Sequence, residues 1–352
     1  MARKLRVQPN GVCFHVVSRI AHREFMFDET ERDIVVGLLR KVSEFTGVFV
    51  VAYCIMSNHI HLLLFIDKPE NLNLYERWRN CLEEGTGGVI PPMVEDQRGV
   101  TPCGPALSDE ELAEIRKCRQ MSVPERYETT EDELKRRLRN VMRPTAFEDL
   151  MDVWSKLGTA ELAAEHERAL RKTYDLSAFM KILKQDISQY YNVRHKHTGA
   201  LWEGRFRDSY IEKSLDPLTA VSTYIDLNPW RAKMCARPEE YKWCSFSAAV
   251  GGSESARAGY RFVYDANDDW PTVEGLHRDE LRKRMDADTA EQEELEDALF
   301  TSGGIIGSAG FVSEVSKREK AAFPRERKTP PLEVGVGGKA LFALRWLNKL
   351  RK

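Results

Sequence analysis

The sequence is poor in the features that mark secreted, zinc-ribbon and membrane proteins. Its seven cysteines are odd in number and include no Cys-X-X-Cys pair, which predicts neither a disulfide framework nor a zinc ribbon. No apolar run approaches the ~18 to 20 residues of a membrane span, and no apolar stretch follows the charged N-terminal residues. We therefore expect a protein of the reducing cytoplasm that has no membrane partner.

A strong net charge is also missing. The formal charge is -2 over 352 residues, so a nucleic-acid partner would require a local basic surface. The hydrophobic fraction of 42% supports a packed core, and the charged fraction of 31% predicts additional solvated helices. The length allows two domains, or one domain with a large insertion.

The N-terminal part of the chain combines strand and helix patterns. Alternating apolar residues predict strands, and apolar residues three and four apart predict a helix. The helix would have Asp28 or Thr30 as its N-cap and would end at Gly47. The predicted elements are a strand at Cys13 to Ile20, a helix at Thr30 to Thr46, and strands at Val48 to Met56 and His59 to Ile66.

The triplet His59-Ile60-His61 lies in the last of these strands. Side chains alternate along a strand, so both imidazoles point to the same face and can hold one metal ion. Such an ion, with an open coordination position, can polarise a phosphate or activate an attacking group. The alternative is a pair of polar residues on the solvent face of a half-buried sheet.

The segment between residues 67 and 175 differs from what precedes it. Proline and glycine cluster between Gly85 and Pro105, and charged helical patterns follow, with Leu134, Leu138 and Val141 on one face. We interpret this segment as an inserted helical lobe. A solvated helix face explains its charges most simply, although an extension of a DNA-binding surface is a second hypothesis.

A basic stripe interleaved with aromatic residues follows this segment. It begins on a helix predicted from Leu176 and continues through a loop into a short strand at Ser209 to Glu212. Such a surface can track a phosphate backbone and stack bases, whereas the alternative is a basic loop anchored to the core by its aromatics. The predicted DNA-binding residues are Lys181, Lys184, Arg194, Lys196, Trp202, Arg205 and Arg207.

A further helix is predicted from Asp216-Pro217 to about Leu227. Tyr224 and Asn228 are four residues apart and would share one face of it, unless Pro229 ends the helix first. Of the other tyrosines, Tyr190 is predicted to pack on an apolar helix face and Tyr210 to be structural or stacking.

The C-terminal part offers fewer functional patterns. Gly303, Gly304, Gly307 and Gly310 match no common phosphate-binding fingerprint, so we interpret them as a turn before a helix. The last residues carry leucines among lysines and arginines, which predicts a basic amphipathic helix. Its apolar positions are Leu341, Leu344, Leu347 and Leu350.

Three motifs, in this order, carry a family resemblance. They are Tyr53 to Leu63 (YCIMSNHIHLL), Gly199 to Phe206 (GALWEGRF) and Tyr224 to Pro229 (YIDLNP). With them the chain resembles the single-tyrosine HUH transposases and, among these, the REP-associated tyrosine transposases. The resemblance covers Cys13 to Ile66 and Leu176 to Val250. Trp230 stands where the family leads us to expect a small aliphatic residue.

The resemblance implies a fold and a domain division. The fold would be α+β, a ferredoxin-like antiparallel sheet with helices on one face and the histidine pair on a central strand. Residues 1–250 would form the catalytic domain, interrupted by the charged helical insertion at about 67–175. Residues 251–352 would form a C-terminal accessory region, to which the family assigns no function.

The resemblance also implies a reaction. Tyr224 would attack single-stranded DNA, in a hairpin-forming repeat, to give a 5′-phosphotyrosine and a free 3′-hydroxyl. His59, His61 and Asn228 would hold Mg²⁺, or Mn²⁺, and the protein would act as a monomer or homodimer. Two other readings stay open: a nucleic-acid-binding regulator that does not cut, and a phosphodiesterase in which a metal activates water.

Overall fold

The computed structural model describes residues 11–21, 27–67, 134–139, 141–170, 172–266, 269–322, 332–336 and 338–345. The chain divides into two compact units. One unit comprises residues 1–66 and 171–352, and the other comprises residues 67–170. The first unit contains all of the described strands and all of the predicted site residues, and the two units are described separately.

The first unit contains both strands and helices. Its strands are β1 (Val12–Arg19), β2 (Phe49–Ile55), β3 (His59–Ile66), β4 (Arg207–Ile211), β5 (Gly304–Gly307), β6 (Leu332–Val336) and β7 (Lys339–Arg345). Its helices are α1 (Glu29–Thr46), α4 (Leu176–His195), α5 (Leu215–Arg231), α6 (Ser245–Val250), α7 (Glu254–Tyr264), α8 (Trp270–Asp286), α9 (Ala290–Thr301) and α10 (Ala309–Ala322). The numbering follows the chain, so the second unit contains α2 (Pro144–Ser155) and α3 (Thr159–Leu170).

The strands form one seven-stranded sheet in the order β2-β3-β1-β4-β5-β7-β6. The first four strands pair antiparallel, and with α1 and α4 they follow the β-α-β-β-α-β order of a ferredoxin-like unit. The predicted α+β class is therefore confirmed. The sheet is not antiparallel throughout, because β5 pairs with β4 in parallel and carries β7 and β6 beyond it.

Local sequence signals explain the ends of α1. Asp28 accepts hydrogen bonds from the backbone N–H groups of Thr30 and Glu31, and the Glu31 side chain accepts one from the Asp28 backbone, which completes a capping box. Gly47 ends the helix in the left-handed conformation with φ of 68°. The predicted helix and its stop signal are both confirmed.

The tyrosine-bearing helix α5 is buried along most of its length, including Tyr224. It begins after Ser214, so Asp216 lies in its first turn and does not serve as its N-cap. It also continues through Pro229 to Arg231. Tyr224 and Asn228 therefore lie on consecutive turns of one continuous helix.

The C-terminal predictions need correction. The segment predicted as a basic amphipathic helix forms the strand β7, because it pairs with both β5 and β6 and buries Leu341 and Leu344. Leu347 and Leu350 lie outside the described residues. The glycines predicted as a turn include a whole strand, β5, before α10 begins.

The second unit is helical where it is described. Besides α2 and α3, residues 134–139 are helical and bury Leu134 and Leu138. The expected proline and glycine cluster between Gly85 and Pro105 lies outside the described residues.

None of the described helices has both the length and the apolar character required to cross a bilayer.

Candidate active site

The histidine pair lies on β3, which is flanked by β1 and β2 inside the sheet. His59 faces Arg19 across the β1 pairing, and His61 faces Val17. The two imidazole centroids are 4.8 Å apart, as the alternation of the strand predicts. His61 is 1% exposed, whereas His59 is half-buried. The pair therefore has one inner and one outer member.

A third histidine, His15 on β1, adjoins the pair. Its Nδ1 lies 3.1 Å from the backbone oxygen of Phe300, and its Nε2 lies 3.2 Å from Nδ1 of His61. A carbonyl oxygen only accepts hydrogen bonds, so in neutral His15 the proton is on Nδ1 and Nε2 is an acceptor. His61 must then donate from Nδ1, which leaves its Nε2 free of a proton.

The outer histidine is oriented in the same way. Nδ1 of His59 lies 2.6 Å from the side-chain oxygen of Asn58, an acceptor, which leaves Nε2 free of a proton. Burial lowers the pKa of His15 and of His59 to about 4, and it lowers the pKa of His61 well below its usual value. Near neutral pH the site therefore offers two neutral imidazole nitrogens, the form that binds a metal.

Tyr224 packs directly against this group. Its ring centroid lies 5.6 Å from that of His61 and 5.9 Å from that of His15, edge-on in both cases. Its hydroxyl donates to Oδ1 of Asp297 over 3.1 Å, and the residue is 2% exposed. Burial foremost, and then the Asp297 carboxylate, raise the pKa of Tyr224 well above its usual value. The phenol is therefore neutral and needs activation before it can attack.

Asn228 lies one turn beyond Tyr224. Its side-chain nitrogen donates to the backbone oxygen of Tyr224 over 2.7 Å, and it also lies 3.5 Å from that of Ile225. The second contact has a simple cause, because Pro229 has no N–H with which to bond the Ile225 carbonyl. With the nitrogen turned to the helix backbone, the amide oxygen is the atom of Asn228 that remains to ligate a metal.

The chemistry of the predicted ligands, two imidazoles side by side and one amide oxygen, suits a divalent ion. The described part of the chain contains no group of three or more His, Cys, Asp or Glu residues arranged to hold a metal. The predicted set instead offers two imidazole nitrogens, from His59 and His61, and the amide oxygen of Asn228. A phosphate oxygen and water would supply the remaining positions, which suits an ion that takes oxygen ligands.

One comparison with known proteins matches part of the chain. Residues 10–75 match the family model described as IS200-like transposases. Over these residues the chain is similar to the IS200-like transposases. The matched segment contains both histidines of the pair, His15 and Arg19, but it ends before Tyr224. No curated protein matches the chain, and no solved structure matches it. The family indicates a transposase-like protein that acts on DNA.

Three of the predicted DNA-binding residues have partners within the protein. Lys184 donates to the backbone oxygen of Gly204 over 2.6 Å, and burial lowers its pKa to about 8. The Trp202 indole N–H donates to Ser188 Oγ over 2.9 Å, with Lys184 Nζ 5.1 Å from the ring centroid. Arg194 pairs with Glu31 at 2.5 Å. These contacts anchor the loop after α4, which is the structural alternative that the sequence left open.

The other predicted DNA-binding residues are exposed. Lys181 lies on α4 and Lys196 follows its end. Arg205 and Arg207 line a cleft together with Arg19, beside the histidine pair on the same face of the fold. The remaining lining residues are Val17, Glu203, Gly204 and Thr301. The protein thus presents three arginines around one cleft next to the histidine pair.

Sequence reasoning missed three side chains of this site: His15, Arg19 and Asp297. The one sequence signal for His15 is weak: it alternates with Val17 and Arg19 on one face of a strand. Asp297 carries no local signal, because its contact with Tyr224 spans 73 residues. The structure also buries Tyr191, whereas Tyr190 of the predicted apolar face is only half-buried.

Proposed function

We propose that the protein cleaves and rejoins single-stranded DNA through Tyr224, forming a 5′-phosphotyrosine intermediate and a free 3′-hydroxyl. The observation that carries this proposal is the edge-on contact of the Tyr224 ring with His61, at 5.6 Å between centroids, in a chain whose histidine segment belongs to a transposase family. A binding protein has no need of a phenol beside a pair of proton-free imidazole nitrogens.

His59, His61 and Asn228 would hold a divalent ion, which we propose is Mg²⁺, or Mn²⁺. When bound, it would neutralise a non-bridging phosphate oxygen and so make the phosphorus a better electrophile. His15 keeps the proton of His61 on Nδ1, and the side-chain oxygen of Asn58 does the same for His59. The chain itself thus orients both ligand nitrogens before the substrate arrives.

The arginine cleft would hold the DNA backbone on either side of the scissile phosphate. Arg19, Arg205 and Arg207 line it, and Arg19 also lies 3.9 Å from Asp297, the partner of the Tyr224 hydroxyl. Cations beside the nucleophile attract phosphates without reading sequence. The exposed Lys181 and Lys196 would extend this contact along the strand.

We further propose that the natural substrate is a hairpin formed by a repeated sequence, as in the REP-associated tyrosine transposases that the three motifs resemble. The reaction would take place in the cytoplasm and would need no high-energy cofactor, because the phosphotyrosine bond conserves the energy of the broken phosphodiester. A monomer would suffice for it, since Tyr224 and the histidine pair meet within one chain.

A covalent-adduct assay tests this function. Wild type is incubated with Mg²⁺ or Mn²⁺ and with single-stranded hairpin oligonucleotides taken from the flanks of the gene, and denaturing gels then show any protein attached to DNA. We expect an adduct with wild type and none with Tyr224→Phe. The matched control is Tyr190→Phe, a tyrosine on α4 near the basic loop, which should form the adduct as wild type does.

Two results of this assay would contradict the proposal and support a different function. Cleavage by wild type and Tyr224→Phe alike, with no adduct, would identify a phosphodiesterase that activates water. Tight binding without cleavage would identify a regulatory binding protein, a reading favoured by one observation, the burial of Tyr224 to 2% exposure.

A further inference from the structure

The helix α9 reaches the site from outside both the matched segment and the family resemblance. Asp297 on this helix accepts the hydrogen bond of the Tyr224 hydroxyl. One turn later, Phe300 packs its ring 4.7 Å from that of Tyr224 and offers its backbone oxygen to His15. Residues three apart on a helix lie on the same face, so one face of α9 contacts both the tyrosine and the histidines.

A buried ionic cluster holds α9 against the tyrosine helix. Glu296, which is 1% exposed, lies 2.9 Å from Arg231 at the end of α5 and also pairs with Arg284 of α8. Arg231 has a second partner in Asp288, at 2.6 Å. Removing one member of a buried ion pair is costly, so this cluster keeps the neighbouring Asp297 in register with Tyr224.

The Asp297 carboxylate itself is open to solvent. Its side chain is 57% exposed, in contrast to the buried ring of Tyr224. Only Arg19, at 3.9 Å, forms an ion pair with it among the described residues. The carboxylate therefore connects the buried hydroxyl with the solvent edge of the site, where the arginine cleft begins.

We propose that Asp297 is a catalytic residue, the general base that takes the phenolic proton of Tyr224 as its oxygen attacks the scissile phosphate. This inference rests on the function proposed above. The donor-to-acceptor distance of 3.1 Å is within the reach that proton transfer requires. Before attack the same hydrogen bond holds the hydroxyl as a neutral donor.

The step conserves every atom, electron pair and proton. A bond forms between the Tyr224 oxygen and phosphorus, and the bond from phosphorus to the 3′-oxygen breaks with its electron pair on that oxygen. The phenolic proton moves to Oδ1 of Asp297. The 3′-oxygen takes a proton from water, and the hydroxide that remains takes the proton from Asp297. Rejoining runs through the same groups in reverse.

The test compares single-turnover rates of adduct formation in four proteins: wild type, Asp297→Asn, Asp297→Ala and Glu294→Gln. Glu294 is an exposed acid on the same helix and controls for the loss of one negative charge near DNA. We expect both Asp297 variants to react at least about 100-fold more slowly, the usual lower bound for general-base catalysis. The Glu294 variant should match wild type.

Added formate should restore part of the rate of Asp297→Ala, because a small carboxylate can enter the vacated exposed position. It should not change the rate of wild type. Hairpin affinity, measured by fluorescence anisotropy, and Mn²⁺ affinity, measured by titration calorimetry, should be the same in wild type and both Asp297 variants. Formate rescue with unchanged affinities is a result that a merely structural contact would not produce.

Other results would overturn the proposal in distinguishable ways. Unchanged rates would show that the contact is incidental, and faster adduct formation by Asp297→Ala would show that Asp297 shields Tyr224. A loss of Mn²⁺ affinity would make Asp297 a metal ligand instead. In these cases wild type still forms the adduct, so the proposed function stands. Absence of the adduct in wild type would remove both proposals.

Discussion

At the scale of single residues, proton positions organise the site. One backbone oxygen, that of Phe300, determines where the proton of His15 lies, and His15 in turn determines where the proton of His61 lies. Burial keeps these imidazoles neutral, since it lowers the pKa of His15 to about 4 and the pKa of His61 well below its usual value. In the proposed metal site His15 would thus orient the ligand His61, as is usual for the hydrogen-bond partners of ligating histidines.

Replacement of His15 should therefore weaken metal binding. In His15→Leu the Nδ1–H group of His61 loses its acceptor, and we expect the Kd for Mn²⁺ to rise about 10-fold. In His15→Gln the side-chain oxygen can still accept, so the rise should be smaller. Titration calorimetry without DNA measures both constants. Equal affinities in the two variants would show that the hydrogen bond does not orient His61.

At the scale of elements, a bulge and a glycine allow α7 to sit on the sheet. The β2 to β3 register shifts between Val50 and Ala52, which leaves Val51 outside the ladder. Gly259 of α7 meets the backbone of Val51 so closely that an added Cβ would overlap its carbonyl oxygen. The next residue, Tyr260, bonds to Asp226 of the tyrosine helix over 2.7 Å. This close approach therefore helps to place α5, which carries the proposed nucleophile Tyr224.

Gly259→Ala should destabilise the protein for this reason. Overpacking against the backbone lowers the free energy of unfolding by about 1 to 3 kcal/mol. This loss exceeds the stabilisation that alanine gives through its better helix propensity. The control is Gly275→Ala on α8, where an added Cβ meets nothing within 4 Å. That change should stabilise by about 0.5 to 1 kcal/mol. Urea denaturation followed by circular dichroism measures both, and a stabilised Gly259→Ala would contradict the packing argument.

At the scale of the whole molecule, charge is arranged locally. The chain carries a formal charge of -2, yet Arg19, Arg205 and Arg207 share one cleft beside the histidines. One acidic residue, Glu203, also lines the cleft, so the arginines outnumber the acids there. A nearly neutral protein can in this way attract a phosphate backbone at one place and repel it at others.

The salt dependence of hairpin binding should show whether the DNA backbone lies in this cleft. Each phosphate contact on single-stranded DNA contributes about 0.7 to the slope of log affinity against log salt concentration. Arg205→Gln and Arg207→Gln should each reduce the slope by about that amount. Arg237→Gln, an exposed arginine paired with Glu240 at 2.8 Å, serves as the control and should leave the slope unchanged. Equal slopes in all four proteins would place the DNA elsewhere.

Several features could be predicted because they depend on near neighbours in the chain. The strand alternation placed His59 and His61 side by side, and the cap at Asp28 with the stop at Gly47 defined α1. The spacing of Tyr224 and Asn228 put them on consecutive turns of one helix. Periodicity and capping act within a few residues, so their outcome is readable from the sequence.

The sequence by itself thus determined the α+β class, the ferredoxin-like order of the first four strands, and the histidine and tyrosine motifs. Only the tertiary structure decided that residues 339–345 form a strand, because its partners β5 and β6 outweigh a helical pattern of leucines. The same holds for Asp297 and Phe300, which join His15 and Tyr224 across long stretches of chain. Such contacts arise from packing between distant elements, which leaves no periodic signal in either one.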